Sequence, residues 1–207
     1  MIKVLNLYAG IGGNRKLWEN VEVTAIENDK TIAAIYKDFF PEDKVIVTDA
    51  HEYLLNHFEE YDFIWSSPPC PTHSRMNNLT NVDDNKRIKY PDMILYQEIL
   101  ILKHFFKGKF VVENVISYYN PLIIPQKSGN HYYWSNFIIT NKKKVDRKIR
   151  REGIEKPKKW GFDLSKYNLN KRYSKKLLNN LVHPDLGLHI FNMAFKEKQE
   201  VLKVNKG

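Results

Sequence analysis

Residues 2–13 read IKVLNLYAGIGG, an apolar run that ends in a cluster of glycines. Gly10, Gly12 and Gly13 are three of only nine glycines in the chain. Because glycine lets the backbone come close to a ligand, the pattern predicts a strand that turns into a helix beside a bound molecule. A purely structural corner between strand and helix is the alternative. The spacing is not Gly-x-Gly-x-x-Gly and no Lys-Ser/Thr pair follows, so neither a dinucleotide nor a phosphate-binding loop is predicted.

Short apolar runs and helical patterns alternate over the first 140 residues. The runs are rich in β-branched or aromatic residues and bounded by polar ones, which indicates strands at residues 2–8, 21–26, 44–47, 61–65 and 110–112. Apolar residues at helical spacing predict helices over residues 30–39 and 93–106. This order predicts an α/β fold, a doubly wound and mostly parallel sheet with helices on both faces. Ligands of such sheets bind beyond the carboxyl ends of the strands.

The composition limits the class of protein. A chain of 207 residues, 43% of them hydrophobic, suffices for one domain with a small appendage. The single cysteine excludes an intramolecular disulfide, and no Cys/His cluster at ligand spacing accompanies it, so no metal is expected. Lys3 interrupts the start of the chain, and no uncharged apolar run approaches the roughly 18 residues of a membrane span. We therefore expect a soluble, cytoplasmic protein without a membrane partner.

The formal net charge of +9 is concentrated in one segment. Residues 142–176 hold 15 Lys/Arg against 4 Asp/Glu, whereas the rest of the chain holds 18 basic and 20 acidic residues. Aromatic residues are interspersed there: Trp160, Phe162, Tyr167 and Tyr173. Basic and aromatic residues together are typical of a surface that binds nucleic acid, and a solvated basic face is the alternative.

The single cysteine lies in WSSPPCPTHS, residues 65–74, directly after a predicted strand. Free cysteines are most often buried and inert, but the flanking prolines and the polar residues that follow argue against a packed interior position. To act as a nucleophile the thiol needs a pKa below its usual value of about 8.5 or a nearby proton acceptor, and Arg75 is a cation that would lower the pKa. Glu113 ends another predicted strand and is expected to be a partly buried carboxyl with a raised pKa, able to donate a proton.

Two more acids end predicted strands. Glu27 follows the second strand and Asp49 follows the third. A carboxylate can accept hydrogen bonds from ribose hydroxyls or from an adenine amino group. The glycine turn with two such acids indicates a nucleoside pocket, although each acid taken singly is more often a solvated loop charge.

The remaining segments suggest a division into three parts. Residues 76–89 are polar and without periodicity, which predicts a lid that follows the cysteine. Pro184 is expected in the first turn of a final helix that returns to the first domain. We expect a catalytic and cofactor-binding domain over residues 1–140, a small basic target-recognition segment over 141–175, and a C-terminal part over 176–207.

Three motifs together resemble those of the DNA cytosine-5 methyltransferases. They are residues 6–13, Pro69-Cys70, and Glu113-Asn114-Val115, and they occur in the family's order. The similarity continues with Glu27, Asp49, Pro125-Gln126, and Asn180-Leu181-Val182, so it spans nearly the entire chain. The chain is similar to a small member of the family, bacterial or phage-encoded, with a reduced target-recognition region.

The resemblance implies a Rossmann-like fold that binds S-adenosylmethionine and a reaction on cytosine in double-stranded DNA. Cys70 would attack C6 of a flipped-out cytosine while Glu113 binds the ring at N3 and the amino group, so that C5 takes the methyl group. Loss of the C5 proton and elimination of the Cys70 thiolate would then release 5-methylcytosine and S-adenosylhomocysteine. The implied catalytic group is completed by Pro69, Asn114, Arg75 and His131.

The resemblance also implies binding residues. Tyr8 would lie on the adenine, Glu27 would hold the ribose, and Asp49 would hold the adenine edge. The full implied cofactor set is Tyr8, Ala9, Gly10, Ile11, Gly12, Gly13, Glu27, Asn28, Asp49, Ala50, Leu95, Asn180 and Val182. The implied nucleic-acid contacts are Ser74, Arg75, Lys86, Arg87, Arg147, Arg150, Arg151, Lys158 and Lys159.

Three departures from the family are visible. The family usually carries a pair of arginines, and here His131 occupies the expected place of one of them, with Arg75 as a candidate replacement. Pro71 follows the cysteine, where many members have Gln or Asn. The region for target recognition, residues 141–175, is shorter than in most members. Specificity is therefore expected to be short, degenerate or aided by a partner of an otherwise monomeric protein. Methylation of cytosine in tRNA and a catalytically silent nucleic-acid-binding homologue stay open as alternatives. A cysteine hydrolase would leave the glycine turn and Glu113-Asn114-Val115 unexplained.

Overall fold

A seven-stranded sheet forms the centre of the computed structural model, which describes residues 1–75, 90–140, 155–170, 173–174, 177–178 and 180–196. The strands are β1 (Ile2–Leu7), β2 (Val21–Ile26), β3 (Lys44–Ile46), β4 (Phe63–Ser66), β5 (Lys109–Val115), β6 (Gln126–Ser128) and β7 (His131–Ser135). Their order in the sheet is β3-β2-β1-β4-β5-β7-β6. The pairs among β1 to β5 are parallel, and β7 runs antiparallel to both β5 and β6. The predicted mostly parallel α/β sheet is confirmed.

Helices cover both faces of this sheet, as predicted. They are α1 (Lys30–Phe39), α2 (Ala50–His57), α3 (Ile94–His104), α4 (Glu155–Lys159) and α5 (Pro184–Phe195), and a short 3₁₀ helix at Phe58–Glu60 follows α2. Residues of α2 and α3 pack with Leu5, Ile64 and Val112 on one face. Residues of α5 pack with Val4, Trp65 and Val111 on the other.

Among the elements that were not predicted from the sequence, the strands β6 and β7 and the helix α2 have local signals. The hairpin of β6 and β7 turns at Gly129-Asn130, where Gly129 has φ +60°, and a Gly-Asn pair between two strands is a recognised hairpin signal. Helix α2 begins after Asp49, whose carboxylate accepts a hydrogen bond from Glu52 N at 2.9 Å. An acid three residues after an N-cap residue is typical of a helix start.

The glycine-rich segment differs from the expectation. Residues 9–18 form successive turns instead of a helix, with hydrogen bonds from Gly12 N to Ala9 O, from Arg15 N to Gly12 O and from Trp18 N to Arg15 O. The side chain of Arg15 also binds Trp18 O and makes a bidentate ion pair with the buried Asp43. These bonds fix the turns and connect them to the end of α1.

Part of the basic segment packs onto the sheet's helical layer. Phe162 and Leu164 are buried in a cluster with Ile32 and Tyr36 of α1. Residues 141–154, 171–172 and 175–176 lie outside the described residues, so the proposed recognition segment and the three-part division stay predictions.

Candidate active site

The cysteine and the candidate acid follow neighbouring parallel strands. Ser66, the last residue of β4, is paired with Val112 of β5, so that Glu113 is the next residue along β5. Cys70 is half-buried in the loop after β4, and the side chain of Glu113 is buried. Because parallel strands end at the same edge of a sheet, the two motifs meet there.

Side-chain hydrogen bonds tie the loop after β4 to the end of β5. Ser67 Oγ donates to Glu113 Oε2 at 3.0 Å and itself accepts from Trp65 Nε1 at 2.8 Å. Asn114 Nδ2 donates to Pro68 O at 3.0 Å, while its Oδ1 accepts from Val115 N. The end of β5 therefore holds Ser67 and Pro68, the two residues with which the loop to Cys70 begins.

The thiol environment differs from the expectation based on Arg75. Burial and the negative charge of Glu113 raise the pKa of Cys70, and a backbone hydrogen bond offsets this only in part. The Arg75 side chain is exposed and its Nε donates to Ser117 O at 3.3 Å. The groups around Cys70 in the free protein therefore raise its pKa on balance, and Arg75 does not reverse this.

His131 lies beside the candidate acid. It begins β7, and its Nε2 is 3.7 Å from Glu113 Oε1. Tyr133, on the same strand, is paired with Glu113 across the sheet. The oxygens of Glu113 thus face the hydroxyl of Ser67 on one side and an imidazole on the other, while the catalytic role of His131 stays a prediction.

His73 is buried, although the sequence placed it in an exposed polar stretch. Its exposure is 1%, its Nδ1 shares a 2.6 Å hydrogen bond with Tyr119 OH, and burial lowers its pKa. The backbone N–H groups of His73 and Ser74 both donate to Cys70 O at 3.0 Å. His73 therefore anchors the cysteine loop against the segment after β5.

The three glycines of the turn have different surroundings. Gly10 has φ +56°, and a Cβ built there meets no atom within 4 Å. A Cβ on Gly12 would meet the rings of Phe40 and Tyr36, and a Cβ on Gly13 would meet Val182 O. Of these three glycines, Gly10 alone borders open space. At Gly12 and Gly13 the space that a Cβ would need is filled by other atoms of the protein, so no ligand is needed to explain these two glycines.

Glu27 holds this turn in place. Its Oε2 accepts a hydrogen bond from Gly10 N and its Oε1 accepts one from Asp29 N, both at 3.0 Å. Each carboxylate oxygen keeps a further lone pair, so Glu27 can still accept a hydrogen bond from a hydroxyl group of a ligand. Asn28 and Asp49 are both exposed, after β2 and β3 respectively, and Asp49 caps α2. An open glycine beside acids that retain acceptor capacity fits the nucleoside part of S-adenosylmethionine.

Several other predicted cofactor residues are buried in the described structure. The exposed fractions are 7% for Ala9, 2% for Ile11, 3% for Ala50 and 3% for Leu95. They are members of the hydrophobic clusters, so packing accounts for them and their contact with a cofactor stays a prediction. Asn180 is exposed and Val182 is half-buried beside Gly13.

The predicted nucleic-acid contacts are described only in part. Arg75, Lys158 and Lys159 are exposed, and Ser74 forms an isolated bridge with Ser117. Outside the described residues lie the candidate lid at 76–89 and five of the contacts: Lys86, Arg87, Arg147, Arg150 and Arg151.

Sequence reasoning missed Ser66 and Ser67, which bind carboxylates of the site, and it also missed Glu98. Glu98 lies on α3 with an exposed fraction of 0% and accepts hydrogen bonds from Tyr8 OH and Ser66 Oγ, both at 2.6 Å. The signal in the sequence was an acid on the apolar face of a predicted helix, between Leu95 and Leu102.

Neither a membrane-spanning helix nor a metal-binding cluster occurs in the described ranges. None of the helices there is long and apolar enough to cross a membrane. Within the same ranges, no group of three His, Cys, Asp or Glu side chains is arranged to hold a metal ion.

One curated protein is similar to the chain in sequence. The Type II methyltransferase M1.BsuMI of Bacillus subtilis (strain 168) is 26% identical over 239 aligned residues, which cover 96% of this chain and 53% of that protein. The chain thus spans about half the length of this curated relative.

Two solved structures are similar to part of the chain. A variant of DNMT2 from Spodoptera frugiperda is 21% identical, with 70% of this chain and 54% of that chain covered and a TM-score of 0.45. The putative methyltransferase yhhF from Escherichia coli is 15% identical, with 65% and 74% covered and a TM-score of 0.42. These likenesses concern the fold alone.

A family match covers the part of the chain that carries the motifs. Residues 2–121 match the family described as C-5 cytosine-specific DNA methylase, and this range includes the glycine turn, Pro69-Cys70 and Glu113-Asn114-Val115. The chain belongs to the C-5 cytosine-specific DNA methylase family.

Proposed function

We propose that the chain methylates C5 of cytosine in double-stranded DNA, with Cys70 as the nucleophile and S-adenosylmethionine as the methyl donor. The observation that carries the proposal is the connection of the cysteine loop to Glu113. Ser67 binds Glu113 and Asn114 binds Pro68, so the thiol loop and the acid are held at one sheet edge. The relative M1.BsuMI is a Type II methyltransferase, which agrees with this reaction class.

In this mechanism Cys70 forms a bond to C6 of a cytosine that has left the helix. A covalent intermediate divides one difficult substitution into easier steps. Glu113 binds N3 and the amino group of the base, and Ser67 holds the carboxyl group in place. Proton sharing between Glu113 and the ring reduces the negative charge that raises the pKa of Cys70, so base binding itself favours the thiolate.

S-adenosylmethionine supplies an electrophilic methyl group when it is bound. We assign its nucleoside part to the space beside Gly10, with Glu27 and Asp49 as acceptors. Gly10 N is already bound by Glu27, so the same carboxylate both shapes the turn and faces the ligand.

We place the DNA on the side of the basic segment. Lys158 and Lys159 are exposed on α4, and most of the excess positive charge lies in residues 142–176. Positive charges next to phosphates release counterions and supply affinity that does not depend on sequence.

Covalent trapping tests the proposal. DNA that contains 5-fluorocytosine should form a stable adduct with the wild-type chain and S-adenosylmethionine, because fluorine at C5 blocks release of the enzyme. Cys70→Ser should lose the adduct and all transfer of tritiated methyl to DNA. The adduct is detected as a shifted band in denaturing gels.

A matched control and a second substrate make the result specific. Ser135→Ala alters a serine on β7 away from the cysteine loop and should still form the adduct. Duplex DNA and tRNA are compared as methyl acceptors. Methyl transfer to tRNA alone would contradict the DNA assignment, and an adduct with Cys70→Ser would contradict the role of the thiol.

A further inference from the structure

Glu98 is a carboxylate inside the hydrophobic core. Its exposed fraction is 0%, and its helix α3 contributes Leu95, Ile99 and Leu102 to the surrounding cluster. Burial of a carboxylate is costly unless hydrogen bonds compensate it. A leucine there would pack with its neighbours, so the acid requires another explanation.

Three elements donate to this carboxylate. Tyr8 OH donates to Oε1 at 2.6 Å from the end of β1, and Ser66 Oγ donates to Oε2 at 2.6 Å from the end of β4. His51 Nδ1 of α2 lies 3.3 Å from Oε1, and its hydrogen bond with Glu98 raises the pKa of His51. Burial and the charge of Glu98 also raise the pKa of Tyr8, so the tyrosine stays a donor.

Tyr8 has a strained backbone. Its φ is +54°, a left-handed conformation that is unfavourable for a residue with a Cβ. Such strain persists where the surrounding structure imposes it, and it is concentrated at functional sites. Here the hydroxyl is bound by Glu98, and the next residue is held by a 3.0 Å bond from Ala9 N to Ile26 O. The ring of Tyr8 is therefore fixed at the start of the turn that leads to Gly10.

Ser66 connects the carboxylate of Glu98 to the loop that carries Cys70. It is the last residue of β4, and the loop that follows runs through Ser67 and Pro68 to Cys70. One oxygen of Glu98 binds Tyr8 after β1, and the other binds Ser66 at the end of β4. A single side chain therefore sets the position of the glycine-rich turn relative to the cysteine loop.

We propose that Glu98 is a positioning residue that fixes Tyr8 at the cofactor pocket and Ser66 at the base of the cysteine loop. The inference rests on the proposed function, since it assumes that the pocket beside Tyr8 binds S-adenosylmethionine. Glu98 acts through these two residues and does not itself contact either reactant.

A double-mutant cycle on cofactor binding tests the first part. Removal of a hydrogen bond to a charged group corresponds to roughly a tenfold change in an equilibrium constant. We expect Glu98→Gln and Tyr8→Phe each to raise the Kd for S-adenosylmethionine about tenfold in calorimetric titration. If Glu98 acts through Tyr8, the double variant should bind about as weakly as either single variant.

Ser66→Ala tests the second part. It should leave the Kd for S-adenosylmethionine within about twofold of the wild-type value and slow covalent trapping of 5-fluorocytosine DNA about tenfold. Tyr53→Phe is the matched control, because Tyr53 packs against the same hydrophobic cluster and its hydroxyl bonds to Tyr61 OH at 3.1 Å. It should change neither the Kd nor the trapping rate.

The outcomes separate this inference from the proposed function. A wild-type chain that does not bind S-adenosylmethionine overturns the proposed function and this inference with it. If the wild-type chain binds S-adenosylmethionine but Glu98→Gln leaves the Kd unchanged, this inference alone is overturned. The same holds if the effects of Glu98→Gln and Tyr8→Phe on the Kd are fully additive in the double variant. If Glu98→Gln does not fold, Tyr8→Phe decides the first part, and an unchanged Kd for that variant contradicts it.

Discussion

At the scale of single residues, the site is defined by how Glu113 affects its neighbours. The same carboxyl group accepts from Ser67 and raises the pKa of Cys70. A raised pKa protects the free thiol from unwanted reaction, because only the thiolate is a strong nucleophile. Burial first, and Glu113 in addition, therefore favour the thiol form of Cys70 in the free protein.

This arrangement predicts a shift in the reactivity of Cys70. Glu113→Gln removes the negative charge and should lower the pKa of Cys70, so iodoacetamide should react faster at a given pH between about 7 and 9, by roughly two- to tenfold. The rate is measured against pH by mass spectrometry of the peptide that carries Cys70, the only cysteine. Methyl transfer should be abolished in the same variant.

Glu52→Gln is the control, since Glu52 is an acid on α2 that does not contribute to the raised pKa of Cys70. It should leave the rate profile unchanged. An equal or slower alkylation rate in Glu113→Gln would contradict the electrostatic influence of Glu113.

At the scale of elements, the glycine-rich turn both packs against its neighbours and borders the proposed ligand pocket. The sequence alone does not show which glycine serves which purpose. Gly12 and Gly13 allow the turn to pack against α1 and against the segment before α5. Gly10 faces open space beside Glu27. Stability and ligand binding are therefore expected to depend on different glycines of one motif.

Two alanine substitutions separate these functions. Gly12→Ala combines a positive φ with overpacking against Phe40 and Tyr36, and should lower the free energy of unfolding by about 2–5 kcal/mol. Gly10→Ala should cost only about 1–2 kcal/mol of backbone strain but should weaken S-adenosylmethionine binding, because its Cβ points into the proposed pocket. Urea unfolding and calorimetric titration measure the two effects.

Gly129→Ala in the hairpin turn is the matched control. Gly129 also has positive φ and open space around its Cβ, so it should show the same strain as Gly10→Ala without any decrease in cofactor affinity. An equal decrease of affinity in both variants, or a Gly12→Ala variant as stable as the wild type, would contradict this division.

At the scale of the whole molecule, the positive charge is concentrated in one segment of the chain. The net charge of +9 is more than accounted for by residues 142–176, and α4 presents two lysines of this segment to solvent. The described part of the segment is attached to α1 through Phe162 and Leu164. The basic surface is thus joined to a cluster that is separate from the one formed by α2 and α3.

This asymmetry predicts the salt dependence of DNA binding. Replacement of Lys158 and Lys159 by Gln should weaken binding at low salt and reduce the slope of log K against log salt by up to about 0.9 for each phosphate that is no longer neutralised. Fluorescence anisotropy at several salt concentrations gives the slope. Lys103→Gln with Lys107→Gln removes the same charge from exposed positions at and after the end of α3 and should leave the slope nearly unchanged. Equal slopes for both pairs would locate the DNA elsewhere.

The sequence by itself determined the parallel sheet, because each strand from β1 to β5 is a local apolar run and α1 has local helical spacing. It also determined the order of the glycine turn, cysteine and acid motifs, each of which is a short continuous stretch of the chain. Local signals for β6, β7 and α2 were present in Gly129-Asn130 and in Asp49 with Glu52.

Only the tertiary structure decided how these motifs affect one another. The raised pKa of Cys70 depends in part on Glu113, which is distant along the chain, and His73 is buried where it bonds to Tyr119. The role of Glu98 depends on donors from three separate elements. Burial and electrostatic interaction depend on distances in space, which residue types and spacing along the chain do not specify.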